Sequence, residues 1–128
     1  MLKALTTFSG IAVDDIAKAK DFYVGTLDLK LLDDTMGLNL ELPGGSKLFV
    51  YEKPDHQPAT FTVLNFVVED IDETVDHMSS HHGIVFERYD NVPGQDEKGV
   101  MRGKAANMGP DIAWFKDPAG NVLAVLSD

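Results

Sequence analysis

The chain has 128 residues, 44% of them hydrophobic and 25% charged, which is the composition of one ordinary folded domain and not of a disordered chain. Its formal net charge of −10 makes nucleic acid and an anionic membrane poor partners and favours cationic small molecules. Cysteine is absent, which excludes disulfides, thiolate metal ligands and a cysteine nucleophile. Because no apolar stretch has the length of a membrane span or of a signal-peptide core, we expect a cytoplasmic protein.

The first half of the sequence predicts a β-α-β-β-β unit. An apolar run over residues 4–13 is followed by Asp15, a good helix N-cap, and then by apolar residues at helical spacing. A second strand is predicted over residues 27–32. A hairpin is predicted over residues 38–51, where a Pro-Gly-Gly-Ser sequence separates two alternating apolar runs.

The second half predicts the same order of elements. Residues 61–68 have the pattern of a strand, and Asp70 with Glu73 three positions later has the pattern of a capping box at the start of a helix. Another strand is predicted over residues 85–89. A hairpin over residues 112–126 turns at an Asp-Pro-Ala-Gly-Asn sequence, in which Asp, Pro, Gly and Asn each favour a sharp reversal.

The two halves can be aligned as copies of one unit. Asp15 corresponds to Asp70, 55 positions later, and Pro43 corresponds to Pro118, 75 positions later. The roughly twenty extra residues of the second copy fall between residues 90 and 110, in a charged segment rich in Gly and Pro. Such a long connection is usually a binding loop or lid, and the alternative is a disordered surface excursion.

Three motifs, taken together and in order, resemble the vicinal oxygen chelate superfamily, which includes glyoxalase I, extradiol dioxygenases, fosfomycin-resistance enzymes and bleomycin-resistance proteins. The motifs are Val-x-Asp-Ile at Val13 and again at Val68, Phe22-Tyr23 followed by Leu27-Asp28-Leu29, and Trp114-Phe115-Lys116-Asp117-Pro118-Ala119-Gly120-Asn121. The resemblance implies an α+β fold in one domain, residues 1–128. Two tandem βαβββ modules, about residues 1–53 and 60–128, would form a curled mixed sheet, a cup for a small molecule, with the helices on its outer face.

The resemblance also implies where a metal would be held. Metal-binding members take one ligand, mostly His or Glu, from the first and from the last strand of each module. The corresponding residues here are Phe8, Phe49, Val63 and Ala124. Since none of these side chains has a lone pair to donate, we predict that the chain uses no metal and no other cofactor. A slipped register would place Glu41 or Glu52 at a metal-ligand position, but it would also move every side chain of that strand to the opposite face of the sheet.

Alternation along the strands then gives the predicted lining of the cup. The predicted ligand-binding residues on the strands are Phe8, Phe49, Tyr51, Phe61, Val63, Asn65, Trp114 and Ala124. Trp114, the only tryptophan, is either an aromatic wall for a planar ligand or a core residue. Asn65 either contacts the ligand or satisfies backbone groups.

Charged and titratable candidates lie outside the strands. Glu97 and Arg102 in the long loop are predicted ligand contacts, Glu97 for a cation or for acid-base chemistry and Arg102 for a carboxylate. His56 is a second, weaker catalytic candidate. His77 and His81 are spaced to share a metal on a helix, but with no third ligand evident they are better interpreted as solvent-facing residues.

These observations predict a protein that binds a small apolar or cationic organic molecule in its cup without a metal, in the manner of bleomycin-resistance proteins, and that forms a homodimer. Two alternatives stay open. One is an enzyme with lyase, isomerase or dioxygenase-type chemistry, using acid-base groups or metal ligands in a different register. The other is an interaction module whose cup is filled by its own side chains.

Overall fold

The computed structural model describes residues 1–128, which divide into two compact units, Met1–Pro58 and Ala59–Asp128. Each unit contains one four-stranded mixed sheet and one main helical segment. The predicted α+β fold built from tandem modules is therefore confirmed. Neither helix has the length and apolar character that crossing a membrane would require.

In unit 1 the outer strand β1 runs parallel to its neighbour and the other pairs are antiparallel, in the order β1-β4-β3-β2. The bounds are β1 Ser9–Val13, α1 Ile16–Lys20 with a π-helical continuation Asp21–Thr26, β2 Lys30–Asp33, β3 Leu38–Glu41 and β4 Lys47–Glu52.

Unit 2 repeats this arrangement in the order β5-β8-β7-β6, again with one parallel pair, β5 and β8. The bounds are β5 Thr62–Val67, α2 Ile71–His82, β6 Met101–Arg102, β7 Asp111–Lys116 and β8 Val122–Ser127.

Both helices begin where the sequence predicts. The Asp15 carboxylate accepts a hydrogen bond from the Lys18 amide at 3.1 Å, and the Asp70 carboxylate accepts one from the Glu73 amide at 3.1 Å. Each aspartate thereby satisfies one of the amides that a helix start leaves without an internal partner. At the other end of α2, Gly83 adopts φ 65°, the left-handed conformation that favours glycine at a helix end.

The strand predicted over residues 85–89 is wrong. This segment makes only one backbone hydrogen bond to the sheet, from the Glu87 amide to the Trp114 carbonyl at 2.7 Å. The edge beside β7 is instead occupied by β6, which pairs with Asp111 and Ile112. The alternating apolar pattern predicted a strand, but the long loop that follows returns to β7 and forms the outer strand itself.

The strand register confirms the internal repeat. Gly10 of β1 is paired with Phe49 of β4, and Asn65 of β5 is paired with Ala124 of β8. These two pairs are related by the same offsets of 55 and 75 that align the two halves of the sequence. Phe49 and Ala124 therefore occupy equivalent positions in the two sheets.

Each sheet has one buried face and one face that its own helix does not cover, which we call the open face. The buried face of unit 1 carries Ile11, Val13, Leu38, Leu40, Leu48 and Val50, and that of unit 2 carries Ala113, Phe115, Leu123 and Val125. Because side chains alternate along a strand, the residues between these belong to the open faces. Phe49 and Trp114, two of the predicted ligand-binding residues, are among them.

Candidate functional site

The open face of unit 1 is aromatic. Phe49 and Tyr51 stack with ring centroids 5.9 Å apart and planes 17° from parallel. Gly10 on the neighbouring strand adjoins this stack, and a Cβ placed there would make an ordinary van der Waals contact with the Tyr51 ring at 3.9 Å. Phe8, just before β1, is 67% exposed. Three of the predicted ligand-binding residues are therefore accessible aromatic side chains of one unit.

A cavity of about 450 Å³ is lined by Ile16, Ala17 and Lys20 of α1, by residues 34–38 and by residues 51–52, and Tyr51 connects it to this face. Tyr51 and Met36 line it together with the ion pair between Lys20 and Asp34, whose atoms are 2.9 Å apart. The hydrogen bond from Lys20 and its charge lower the pKa of Asp34. The cavity thus combines exposed apolar surface with a fixed pair of opposite charges.

In unit 2, Trp114 is the centre of the open face. Its indole N–H donates to the Thr62 hydroxyl at 3.1 Å, which fixes the ring across β5 and β7. Tyr89 packs edge-on against it, with ring centroids 5.6 Å apart. Both rings remain partly exposed. Together they form a rigid aromatic corner on which a planar ligand could stack.

Charged groups stand beside this corner. Glu87 and Lys116 form an ion pair with a distance of 3.3 Å. Burial raises the pKa of the Tyr89 phenol, the Glu87 charge raises it further, and Lys116 opposes them. The sequence reasoning missed Tyr89, Glu87 and Lys116. Residues 87–89 reach the open face through contacts with the distant strand β7, namely a backbone hydrogen bond, an ion pair and a ring contact, which nothing local in the sequence indicates.

The first strand of unit 2 does not alternate strictly. The pairing of β5 with β8 shifts register between Thr62 and Leu64, which leaves Val63 in a bulge. Thr62, and not only the predicted odd-numbered residues, therefore shares the open face with Trp114. Of the predicted residues in this region, Phe61 is 68% exposed, Asn65 is exposed, and Ala124 is fully buried.

Arg102 is held in ion pairs with helix α2 and its own loop. Its guanidinium donates to Asp72 at 2.7 and 3.0 Å and to Asp96 at 2.7 and 3.0 Å. Lys98 adds contacts to Asp72 at 3.2 Å and to Asp76 at 3.0 Å. Hydrogen bonds from Arg102 and then from Lys98 lower the pKa of Asp72 to about 2. We call this network of Asp72, Asp76, Asp96, Lys98 and Arg102 the loop clasp.

The rest of the long loop is held by side chains that bond to backbone groups. Gln95 accepts from the Tyr89 amide at 2.8 Å and donates to the carbonyls of Glu87 and Gly99. Arg88 donates to the carbonyls of Asp96 and Glu97. The loop is therefore a structured element fastened to the helix. The Glu97 side chain is exposed, and its catalytic part stays a prediction.

A second cavity, of about 950 Å³, lies at the start of α2. The residues around it are Glu69, Asp70, Ile71, Asp72, Glu73, Thr74, His77, Met78, Lys104, Asp111 and Ser127. It lies at the helix and not over the Trp114 corner.

In unit 1, His56 is partly buried in the segment after β4, and its backbone amide donates to the Lys53 carbonyl at 3.1 Å.

The residues present do not fit the metal that the superfamily resemblance implies. Phe49 and Ala124 occupy equivalent strand positions, and neither they nor Phe8 and Val63 carry an atom that binds a metal. Thr62, which the bulge brings to the open face, already accepts the indole N–H of Trp114. No group of three His, Asp or Glu side chains comes together to hold a metal ion.

Comparison with known proteins bears on the fold and the family. The model of the Glyoxalase/Bleomycin resistance protein/Dioxygenase superfamily matches residues 5–125. A search of curated proteins found no match.

Several solved structures share the fold. The fosfomycin resistance protein FosX from Listeria monocytogenes is 14% identical with a TM-score of 0.67, over 100% of this chain and 95% of that one. TnmS3, an antibiotic binding protein from a Streptomyces species, is 24% identical with a TM-score of 0.65, over 98% of each chain. A putative glyoxalase family protein from Bacillus anthracis is 15% identical with a TM-score of 0.67, over 100% and 99%.

Proposed function

Since the chain belongs to the glyoxalase/bleomycin resistance protein/dioxygenase superfamily, we propose that it binds a small organic molecule, planar and either apolar or cationic, on its open faces without the metal used by other members. The observation that carries this proposal is the aromatic corner of Trp114 and Tyr89. A large aromatic side chain held by a specific hydrogen bond, yet left partly exposed, is a surface ready for stacking.

Charge supports the cationic part of the proposal. The chain has a net charge of −10, and Glu87 lies next to the Trp114 corner. The negative charge of the chain therefore attracts a cation over a distance. Once bound, the cation can replace Lys116 as the ion-pair partner of the Glu87 carboxylate. The antibiotic binding protein TnmS3 and the fosfomycin resistance protein FosX share the fold at low identity, and an antibiotic-like ligand is for this chain part of the proposal alone.

The proposal includes a homodimer and a cytoplasmic location. Phe8, Phe61 and Val67 are each about two-thirds exposed in the single chain, with values of 67%, 68% and 69%. Large exposed apolar patches mark the places where a ligand or another chain binds. A second copy that covers part of these faces would narrow them into enclosed sites.

The test is a titration of Trp114 fluorescence with three probes of different chemistry. Bleomycin is large and cationic, doxorubicin is planar with one amine, and fosfomycin is a small anion. We expect the first two to change the emission at saturable concentrations and fosfomycin to leave it unchanged, because the acidic chain repels an anion. Tyr89→Ala should weaken binding at the Trp114 corner. Tyr51→Ala shows separately whether the aromatic face of unit 1 contributes to binding. Binding of fosfomycin alone would overturn the proposal.

A further inference from the structure

Three histidines form a cluster at the end of α2. His77 and His81 are one helical turn apart, and their rings lie face to face with centroids 4.3 Å apart and planes 19° from parallel. The His82 ring stands edge-on to His77, with centroids 5.4 Å apart. All three are exposed, because α2 turns Ile71 and Val75 towards the sheet instead. The cluster is thus separate from both open faces.

The hydrogen bonds of Ser80 define which nitrogen of His81 carries the proton. The Ser80 hydroxyl donates its single hydrogen to the Asp76 carbonyl at 2.8 Å. Its oxygen also lies 2.8 Å from His81 Nδ1, so it must accept a hydrogen bond from that nitrogen. A neutral imidazole with its proton on Nδ1 has a free lone pair on Nε2. His81 is therefore held in the tautomer that binds a metal through Nε2.

The position of the cluster favours a cation. The C-terminal end of a helix carries partial negative charge from carbonyl groups without helical partners, and His81 and His82 are in the last turn of α2. Two histidines four residues apart on a helix also present both rings to one ion. Imidazole nitrogens suit zinc, copper and nickel better than magnesium or calcium.

We propose that His77 and His81 chelate one divalent transition-metal ion, zinc, nickel or copper, with Ser80 as a positioning residue that fixes the His81 ring. No third side chain completes the set, so water fills the remaining positions. When each metal–nitrogen bond is about 2.0–2.1 Å, two bound nitrogens are roughly 3–4 Å apart and their lone pairs, which lie in the ring planes, must converge on the ion. Because the two rings are now stacked, binding has to turn the exposed His77 ring out of the stack towards His81. This site is unrelated to the superfamily's own metal positions.

Isothermal titration of the chelator-treated full chain with zinc chloride and nickel chloride tests the proposal. We expect one equivalent of metal to bind, with weaker binding as the pH falls because protons compete for the imidazoles. His77→Ala and His81→Ala should each abolish the binding, while His56→Ala, in unit 1, should not change it. No binding to the wild type, or unchanged binding to both variants in α2, would overturn the proposal.

The part of Ser80 is tested separately. Ser80→Ala should weaken metal binding about tenfold, as the loss of such an outer hydrogen bond commonly does, and Ser80→Thr should restore it. Nitrogen chemical shifts of His81 should change in Ser80→Ala towards a mixture of tautomers, which a purely structural role would not produce. Ser79→Ala, one position away, is the matched control. Equal affinities for Ser79→Ala and Ser80→Ala would remove Ser80 from the site.

Discussion

At the scale of single residues, Asp117 shows how one side chain fixes the turn between β7 and β8. One carboxylate oxygen accepts from the amides of Ala119 and Asn121, each at 2.9 Å, and the other accepts from the Asn121 side chain at 2.9 Å. Asp117 and Asn121 are only 4% and 3% exposed. The turn holds β7, which carries Trp114, in register with the buried strand β8.

Asp117→Ala should therefore destabilise the chain strongly. The substitution removes the carboxylate that accepts from the buried Asn121 amide and side chain, and each buried hydrogen bond that loses one partner costs about 1–3 kcal/mol. Urea denaturation followed by Trp114 fluorescence would measure the loss. Asp55→Ala, which breaks only an exposed ion pair with Lys53, should cause no measurable change. Equal stability of the two variants would contradict this account of the turn.

At the scale of elements, the loop clasp connects α2 to the long loop between α2 and β7. Its central carboxylate, Asp72, has its pKa lowered from 3.8 to about 2 by Arg102 and Lys98. Since the unfolded chain takes up this proton at higher pH than the folded chain does, Asp72 stabilises the fold above about pH 4. That contribution disappears as the pH falls from about 4 to about 2.

Asp72→Asn tests the clasp through this pH dependence. The variant should be less stable than the wild type at pH 6, and its unfolding free energy should fall less steeply between pH 4 and pH 2. Because Asp72 is about half exposed, with a side-chain value of 48%, solvent screening keeps the difference small. Arg102→Met should likewise reduce the fall in unfolding free energy between pH 4 and pH 2. Parallel curves for all three proteins would contradict the clasp.

Gly37, which directly precedes β3, is packed closely against β4 and against Phe49 of the aromatic face of unit 1. Gly37 has φ 140°, and a Cβ there would lie 2.7 Å from the Val50 carbonyl oxygen and 3.0 Å from the Phe49 ring. We expect Gly37→Ala to cost about 1–3 kcal/mol through backbone strain and to displace Phe49. Gly25→Ala, where a Cβ meets open space, is the control and should be nearly neutral. Thermal unfolding of both variants would show the difference, and a neutral Gly37→Ala would contradict it.

At the scale of the whole molecule, the internal repeat could be predicted from the sequence because its signals are local. Asp15 and Asp70 cap their helices through amides three residues away, and each hairpin turns within a few residues. The same repeat gave the strand register, which Gly10 paired with Phe49 confirms.

What the sequence did not reveal depends on contacts between distant residues. Arg102 was expected near the ligand, but its partner Asp72 lies 30 positions earlier, and nothing local indicates that pairing. Met101–Arg102, and not the predicted strand over residues 85–89, form the edge strand of the second sheet because the long loop returns to β7. The Val63 bulge likewise results from pairing with a strand about sixty residues later. Tyr89 was missed for the same reason, since Trp114 is its partner.

The proposed homodimer is also a property of the whole molecule. The exposed side chains Phe8, Phe61 and Val67 lead us to expect a species of about twice 14.0 kDa by multi-angle light scattering. Phe61→Lys should shift the population towards the monomer. A wild type that remains at 14.0 kDa at all concentrations would contradict the dimer.

The most direct test of the central proposal is to measure ligand binding with and without metal. Calorimetric titration of bleomycin and of doxorubicin into chelator-treated protein should give the same affinity as titration into zinc-loaded protein. The His77→Ala/His81→Ala double variant, which removes the metal site proposed on α2, should behave in the same way. Binding that requires zinc, and still requires it in the double variant, would show that a metal acts at the open face and would contradict the account. Failure of both probes to bind would contradict it equally.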